Sequence, residues 1–288
     1  MSTEVVHLPF SFDVRTGDVV RGDIWRPDAP VPGAAVVICH GFKGFKDWGF
    51  FPYVAEELAR RTGCLAASFN FTGCGVGADL ETFTDLEGFS RNTISRELGD
   101  LEAVLDRLAA GRCGAVEVPP ATRFGLLGHS RGGATCILEA ATRSQVRGLV
   151  TWSSIAGLER YVALYGERWD AGEVVEIPNA RTGQMMPLRR NILDDLRANR
   201  ARLDVLAAAR TLRIPWLVVH GTEDESVPFS DATRLAEAGG DHAAVMAVEG
   251  TGHTFGSGHP FPGTNDALEK VVERSSDLLR RCLAGAAA

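Results

Sequence analysis

The chain alternates short, predominantly apolar runs with longer segments of helical period, and few folds accommodate that alternation. Residues 34–39 read Ala-Ala-Val-Val-Ile-Cys, with no polar residue to mark a solvent face. Such a strand is buried on both sides, as in a parallel sheet covered by helices. Similar runs recur at 65–69, 124–127, 149–152, 216–219 and 243–248. Between them lie helical patterns. The clearest puts Ile94, Leu98, Leu101, Leu105 and Leu108 on one face through alternating spacings of four and three. Others are expected at 53–61, 132–143, 229–238 and 265–283. Strand and helix in turn predict one α/β domain over residues 1–288, a mostly parallel central sheet with helices on both faces.

At the N-terminus two β runs, 5–14 and 19–25, are joined through Thr16-Gly17-Asp18, a hairpin signal. Residues 26–30 carry two prolines and read as a loop. The Ala-rich end after Leu283 reads as a fraying helix terminus.

One stretch breaks the rhythm. About sixty residues separate the run at 149–152 from the run at 216–219, too many for an ordinary connection. It holds Tyr161, Tyr165 and Trp169 at spacings of four, an apolar run at 174–177, a turn at 179–183 and a helical pattern at 194–209. Residues 155–210 are therefore expected to form a cap inserted over one end of the sheet. Its aromatic stripe either packs the cap onto the body or in part lines a substrate pocket.

Hydrophobic residues make up 45% and charged residues 23%, as in an ordinary globular chain. The net charge is −7 and no basic patch marks a nucleic-acid binder. The arginines of 189–213 alternate with Asp194, Asp195 and Asp204 and read as a solvated helical face. None of the six cysteines forms a C-x-x-C pair, and several sit in apolar runs. They read as buried reduced thiols of a cytoplasmic protein. The start, MSTEVVHLPF, lacks the basic and apolar segments of a secretion signal, and no apolar run is long enough to span a bilayer. The expected partner is a small molecule, not nucleic acid or membrane.

Gly128-His129-Ser130-Arg131-Gly132 fits G-x-S-x-G. Alone the match is weak in a chain with 32 glycines. Its context is specific: an apolar strand ends at Leu127 and a helical pattern starts at once after the motif. Strand, tight turn and helix with serine at the turn make a nucleophile elbow. The competing reading is a serine that merely caps the helix.

A serine hydroxyl needs a base to take its proton and an acid to orient that base. Both follow in chain order. Asp224 stands just past the strand at 216–219, and His253 follows the strand at 243–248 on a Gly-flanked loop. Strand C-terminal ends are where α/β folds place function. Glu223 and Glu225 remain alternative acids and His259 an alternative base, while His220 reads as a satisfied structural histidine. Acyl transfer also needs donors for the carbonyl oxygen as it becomes negative. The backbone N–H of Arg131, next to the nucleophile, and that of Phe42, in His40-Gly41-Phe42-Lys43-Gly44 after the first parallel strand, are the expected pair.

With these segments the sequence resembles the α/β-hydrolase superfamily, in its dienelactone-hydrolase-like and prolyl-oligopeptidase-like esterase branch. The resemblance rests on the segments 40–44, 128–133, 220–224 with Val227-Pro228, and 252–255, and it spans nearly the whole chain. It implies a mostly parallel sheet of about eight strands and ester hydrolysis through an acyl-serine. Dienelactone hydrolases carry a cysteine nucleophile where this chain has Ser130, so general ester chemistry is implied.

Gly73-Cys74-Gly75-Val76-Gly77-Ala78 formally fits a dinucleotide fingerprint, but residues 79–88 show no helical face to open on those glycines. It reads as a flexible loop beside the active site. No phosphate-binding loop, H-E-x-x-H or paired-cysteine pattern occurs, so no cofactor or metal is expected. Three functions stay open: a carboxylic-ester hydrolase, an amidase, peptidase or acyltransferase on the same triad, and a silent binding protein on this fold.

Overall fold

The computed structural model describes residues 4–15, 17–179 and 182–284. The chain starts with an antiparallel hairpin, β1 (Val5–Arg15) and β2 (Asp18–Pro27). Gly17 takes φ +79 at its turn, and Thr16 lies outside the described residues. Then β3 (Ala34–Cys39) is buried at every residue. Helix α1 (Phe51–Thr62) has Pro52 in its first turn and ends on Gly63 in the left-handed region, whose N–H returns to the Ala59 carbonyl at 3.0 Å. It leads to β4 (Leu65–Asn70).

A loop and the short α2 (Leu86–Ser90) precede α3 (Ile94–Ala109), which Thr93 caps by accepting the Arg96 N–H. Ile94, Leu98, Leu101, Leu105 and Leu108 are buried, on the face their spacing predicts. A small hairpin, β5 (Arg112–Cys113) and β6 (Val116–Glu117), leads to β7 (Arg123–His129), α4 (Arg131–Ala140) and β8 (Val146–Trp152).

The excursion after β8 contains α5 (Glu159–Asp170), a hairpin of β9 (Val175–Pro178) and β10 (Met185–Leu188), α6 (Asn191–Ala198) and α7 (Val205–Thr211). Part of the turn expected at 179–183 falls on Ala180 and Arg181, outside the described residues. The helix expected over 194–209 is two helices. The first ends at Ala198, where Asn199 Nδ2 donates back to the Asp195 carbonyl at 3.2 Å, and Asp204 caps the second, accepting the Ala207 N–H at 2.9 Å. Helix α7 packs on α4, with the helices of the body. The chain closes with β11 (Trp216–Gly221), α8 (Phe229–Gly239), β12 (Ala243–Val248) and α9 (Asp266–Leu283), the last capped by Asn265. The Ala-rich tail from 285 lies outside the described residues.

The main sheet has eight strands in the order β1-β2-β4-β3-β7-β8-β11-β12. From β4 to β12 every neighbouring pair is parallel. This is the mostly parallel, helix-covered sheet that the apolar runs predict. All six strands therefore end on one rim, and the loops leaving β3, β7, β11 and β12 converge there. Among the described residues no helix is long and apolar enough to cross a membrane.

Candidate active site

Ser130 sits between the end of β7 and the start of α4, at φ 55 and ψ −121. That backbone is strained for a residue with a Cβ, and strain of this kind concentrates at functional sites. Two bonds hold it: the Ser130 N–H donates to the Trp152 carbonyl at 2.8 Å, and the Gly133 N–H donates to the Ser130 carbonyl at 3.0 Å. The hydroxyl makes no capping bond to α4. Ser130 occupies the cap position without doing a cap's work. Gly132 is needed for proximity, because a Cβ there would lie 2.4 Å from the His40 carbonyl. Its absence lets the elbow approach the loop after β3.

Asp224 is buried on the loop after β11. Its Oδ1 accepts the N–H groups of Ser226 and Val227, both at 2.9 Å, and its Oδ2 accepts from His253 Nδ1 at 2.8 Å. His253 comes from the loop after β12. The two loops meet because Gly221 has no Cβ, which would stand 2.3 Å from the Thr251 carbonyl, and the Glu223 N–H donates to that same carbonyl at 2.9 Å. Burial works to raise the Asp224 carboxyl. The bonds from His220 and His253, the His253 charge and the Val227 N–H overcome it and hold the group well below the usual carboxylate range. An ionised carboxylate only accepts, so His253 Nδ1 carries the proton and Nε2 keeps a free lone pair.

The alternative acids and base sit in different surroundings. Glu223 and Glu225 are exposed, and only Asp224 points inward to a histidine. His259 Nδ1 accepts the Gly49 N–H at 2.9 Å and its ring lies against Phe45 and Trp48, so it is engaged elsewhere. His220 departs from the expectation of a satisfied structural residue. Its Nε2 donates to the Val227 carbonyl at 2.9 Å and lies 3.3 Å from Asp224 Oδ2, while Nδ1 is buried with no partner among the described residues. It braces the acid's loop from below, a role that sequence spacing does not reveal.

Phe42 follows β3, in a turn where the Gly44 N–H donates to the Gly41 carbonyl at 3.1 Å. His40 steadies this loop: Nδ1 donates to the Gly41 carbonyl at 2.9 Å and Nε2 accepts the Phe71 N–H at 3.2 Å. Burial pushes His40 down to about 4, so it stays neutral. Arg131 is the first residue of α4, and a first-turn N–H has no carbonyl one turn back within the helix. The two residues proposed from sequence as donors thus lie on the loop after β3 and at the first position of α4.

Ser130, His253, Phe42, Trp48, Tyr161, Tyr165 and Ile177 line one cavity of about 430 Å³. Its roof comes from α5 and β9, within the excursion 155–210. The aromatic stripe divides here. Tyr161 and Tyr165 face the cavity. Trp169 does not: it is fully buried one turn further on, donating Nε1–H to the Leu188 carbonyl at 3.1 Å and meeting Tyr165 edge-on. Its indole is consumed by packing inside the cap, so Trp169 takes the packing role and is corrected as a candidate substrate-binding residue. The fingerprint at 73–78 is a turn-rich loop tied by Cys74 N–H to the Phe71 carbonyl and Gly77 N–H to the Thr82 carbonyl. The helix after it, α2, opens at Leu86 on an Asp85 cap, not on the glycines.

A family model described as the alpha/beta hydrolase family matches residues 36–273. Among solved structures, the chain is similar to Est1E from Butyrivibrio proteoclasticus, at 19% identity and TM-score 0.65, over 97% of this chain and 99% of that one. A second structure of Est1E holds ferulic acid, with 20% identity and TM-score 0.66 over 96% and 99% of the chains. The chain is also similar to acylaminoacyl peptidase from Pyrococcus horikoshii, at 18% identity and TM-score 0.65, over 98% of this chain and 42% of that one. A comparison with curated protein sequences finds no match.

Proposed function

The chain belongs to the alpha/beta hydrolase family, and from that premise we propose that it is a serine hydrolase cleaving carboxylic esters through an acyl-serine intermediate. The observation that carries the reading is the 2.8 Å bond from His253 Nδ1 to Asp224, made at the edge of the cavity that Ser130 lines. That bond fixes the tautomer a general base requires.

The steps follow from the groups present. His253 Nε2 takes the Ser130 hydroxyl proton as Oγ bonds to the ester carbonyl carbon. The carbonyl oxygen becomes an oxyanion and receives the N–H groups of Phe42 and Arg131. Asp224 stabilises the imidazolium without taking its proton. The tetrahedral species collapses, the C–O bond to the alcohol breaks, and His253 returns the proton to the departing oxygen. Water, deprotonated by the same Nε2, then attacks the acyl carbon; the bond from that carbon to Ser130 Oγ breaks, His253 returns the proton to Oγ, and the acid leaves. The aromatic cavity under α5 suits an apolar or aromatic acyl group, and the ferulic acid bound by Est1E is of that kind. The part of the segment 155–210 that precedes α7 serves as the cap, and its α5 and β9 shape this cavity.

The test is a fluorophosphonate probe followed by a panel of esters, thioesters and amides of graded acyl size. Labelling at Ser130 with turnover of the esters above the amides is expected. An unlabelled Ser130 in folded protein refutes the proposal.

A further inference from the structure

Behind the two oxyanion donors lies a buried ion pair that the reaction steps leave unused. The Arg131 guanidinium is bonded to the Glu97 carboxylate, with side chains 5% and 3% exposed. Glu97 stands in the first turn of α3, and its Oε1 also accepts from the Asn92 amide at 2.7 Å. The guanidinium lies over the Phe42 ring, 4.1 Å from its centroid. Phe89 stacks on the same ring at 5.3 Å, and Tyr161 meets it edge-on at 5.9 Å. The side chain of one donor residue is therefore stacked on the side chain of the other.

Buried ion pairs contribute little net stability, because desolvation offsets their attraction, and their best-attested use is to fix a register. Arg131 Nε and Glu97 Oε2 have no hydrogen-bond partner among the described residues, so polar satisfaction is not what this pair maximises. A planar guanidinium on an aromatic face constrains both distance and tilt. Transition-state stabilisation by N–H donors depends steeply on that kind of placement.

We propose that Glu97 is a positioning residue, which holds the Arg131 guanidinium against Phe42 and so sets the spacing and direction of the two N–H groups that receive the oxyanion. The inference rests on the hydrolase reading above. Tyr161, whose ring centroid is 5.8 Å from the guanidinium, brings the roof helix α5 into the same cluster. Glu97 itself is buried behind Arg131 and is absent from the cavity lining.

The test measures fluorophosphonate labelling of the full chain, with acetyl-ester kinetics and melting curves alongside. Wild type is labelled at Ser130 and Ser130→Ala is not. Glu97→Gln is labelled about 10–100-fold more slowly, and its kcat falls by the same factor while KM holds within about twofold. Arg131→Met loses a similar factor, and adding Glu97→Gln to it costs nothing more, because Glu97 acts through Arg131. Arg131→Lys, which keeps the charge but not the planar stack, falls between wild type and Arg131→Met. Wild-type labelling of Glu97→Gln, or a loss that adds fully to that of Arg131→Met, overturns the proposal. Should Glu97→Gln fail to fold, equal labelling of Arg131→Lys and Arg131→Met overturns it. An unlabelled wild-type Ser130 instead removes the hydrolase reading on which it stands.

Discussion

His129 donates its Nε2–H to the backbone carbonyl of His253 at 3.0 Å, with the two rings 4.6 Å apart. The residue before the proposed nucleophile thus tethers the loop that carries the proposed base. Burial and the neighbouring His253 charge push His129 down to about 3, so it stays neutral while His253 cycles. A second charged imidazole at that distance would oppose each proton transfer to His253.

Ser130→Ala is expected to lower kcat by about 10⁴-fold or more. The elbow is held by backbone bonds and the hydroxyl makes no cap, so the melting temperature stays near that of wild type. Near-wild-type turnover in a purified, folded variant contradicts the assignment.

Asp224→Asn is expected to cost about 10⁴-fold in kcat, because an amide can donate to Nδ1 and turn the imidazole to the wrong tautomer. Glu223→Gln and Glu225→Gln, at exposed positions, leave kcat close to wild type. Parallel kinetics on the three variants decide the matter, and a larger loss at either glutamate removes Asp224 from the role.

Activity falls at low pH through a single proton. Asp224 is held well below the usual range, and His129 and His40, pushed down to about 3 and about 4, are already neutral there. Of the groups proposed to touch the reacting atoms, His253 is the one that loses its role on taking a proton, because it then cannot accept from Ser130. The acid limb of log kcat/KM therefore has a limiting slope of about one. A slope of two brings a second titrating group into the step.

Stability follows a different pH course. An unfolded histidine takes its proton near 6.5, while folded His40 resists until about 4. As pH falls between those values the unfolded chain binds the proton first. The His40 contribution is therefore complete above about 6.5 and lost progressively toward about 4, with His129 acting in the same direction. Because the buried Glu97, Asp100 and Glu139 carboxyls are pushed up and act in the opposite direction, the check is comparative: melting curves across this window should fall more with acid in wild type than in His40→Gln, and equal shifts contradict the buried neutral state.

Trp169→Ala and Tyr165→Ala should fail differently. Loss of the fully buried indole costs about 3–5 kcal/mol of stability and affects all substrates alike. Tyr165 is half-buried and faces the cavity. Its removal leaves an acetyl ester nearly unaffected and shifts kcat/KM for bulky aromatic esters by about 10–200-fold. Identical substrate profiles for the two variants would leave Tyr165 a packing role only.

The strands could be read because the parallel ones carry mostly apolar runs, as 34–39 does, and such runs have few alternatives, although the edge strand β12 leaves Ala244, Val245 and Ala247 exposed where the run predicted burial on both faces. The break between α6 and α7 could not. Residues 199–203 hold neither glycine nor proline, and the break shows only in the side-chain bonds of Asn199 back to Asp195 and of Asp204 forward to Ala207. The alternation of leucines through α3 also hid Glu97. It sits one position before Leu98, where a polar residue reads as solvated until Arg131, distant in sequence, is placed beside it. Periodicity put Tyr161, Tyr165 and Trp169 on one face but could not say that the face bends from cavity to core along the helix. His220 and His129 were hidden for a related reason: what they brace is backbone on other loops.

Ser130, Asp224, His253 and Phe42 each leave the sheet on a separate connection, and residues 155–203 interrupt none of those four. An exchange of that stretch for one of different shape would leave the proposed reacting groups on their own anchors, so substrate preference could change by grafting while the proposed chemistry is inherited. Tyr161 sets the limit on such transplants. Because it touches the Phe42 ring and stands over Arg131, a donor segment lacking an aromatic side chain at that place is expected to loosen the proposed oxyanion donors as well as reshape the roof.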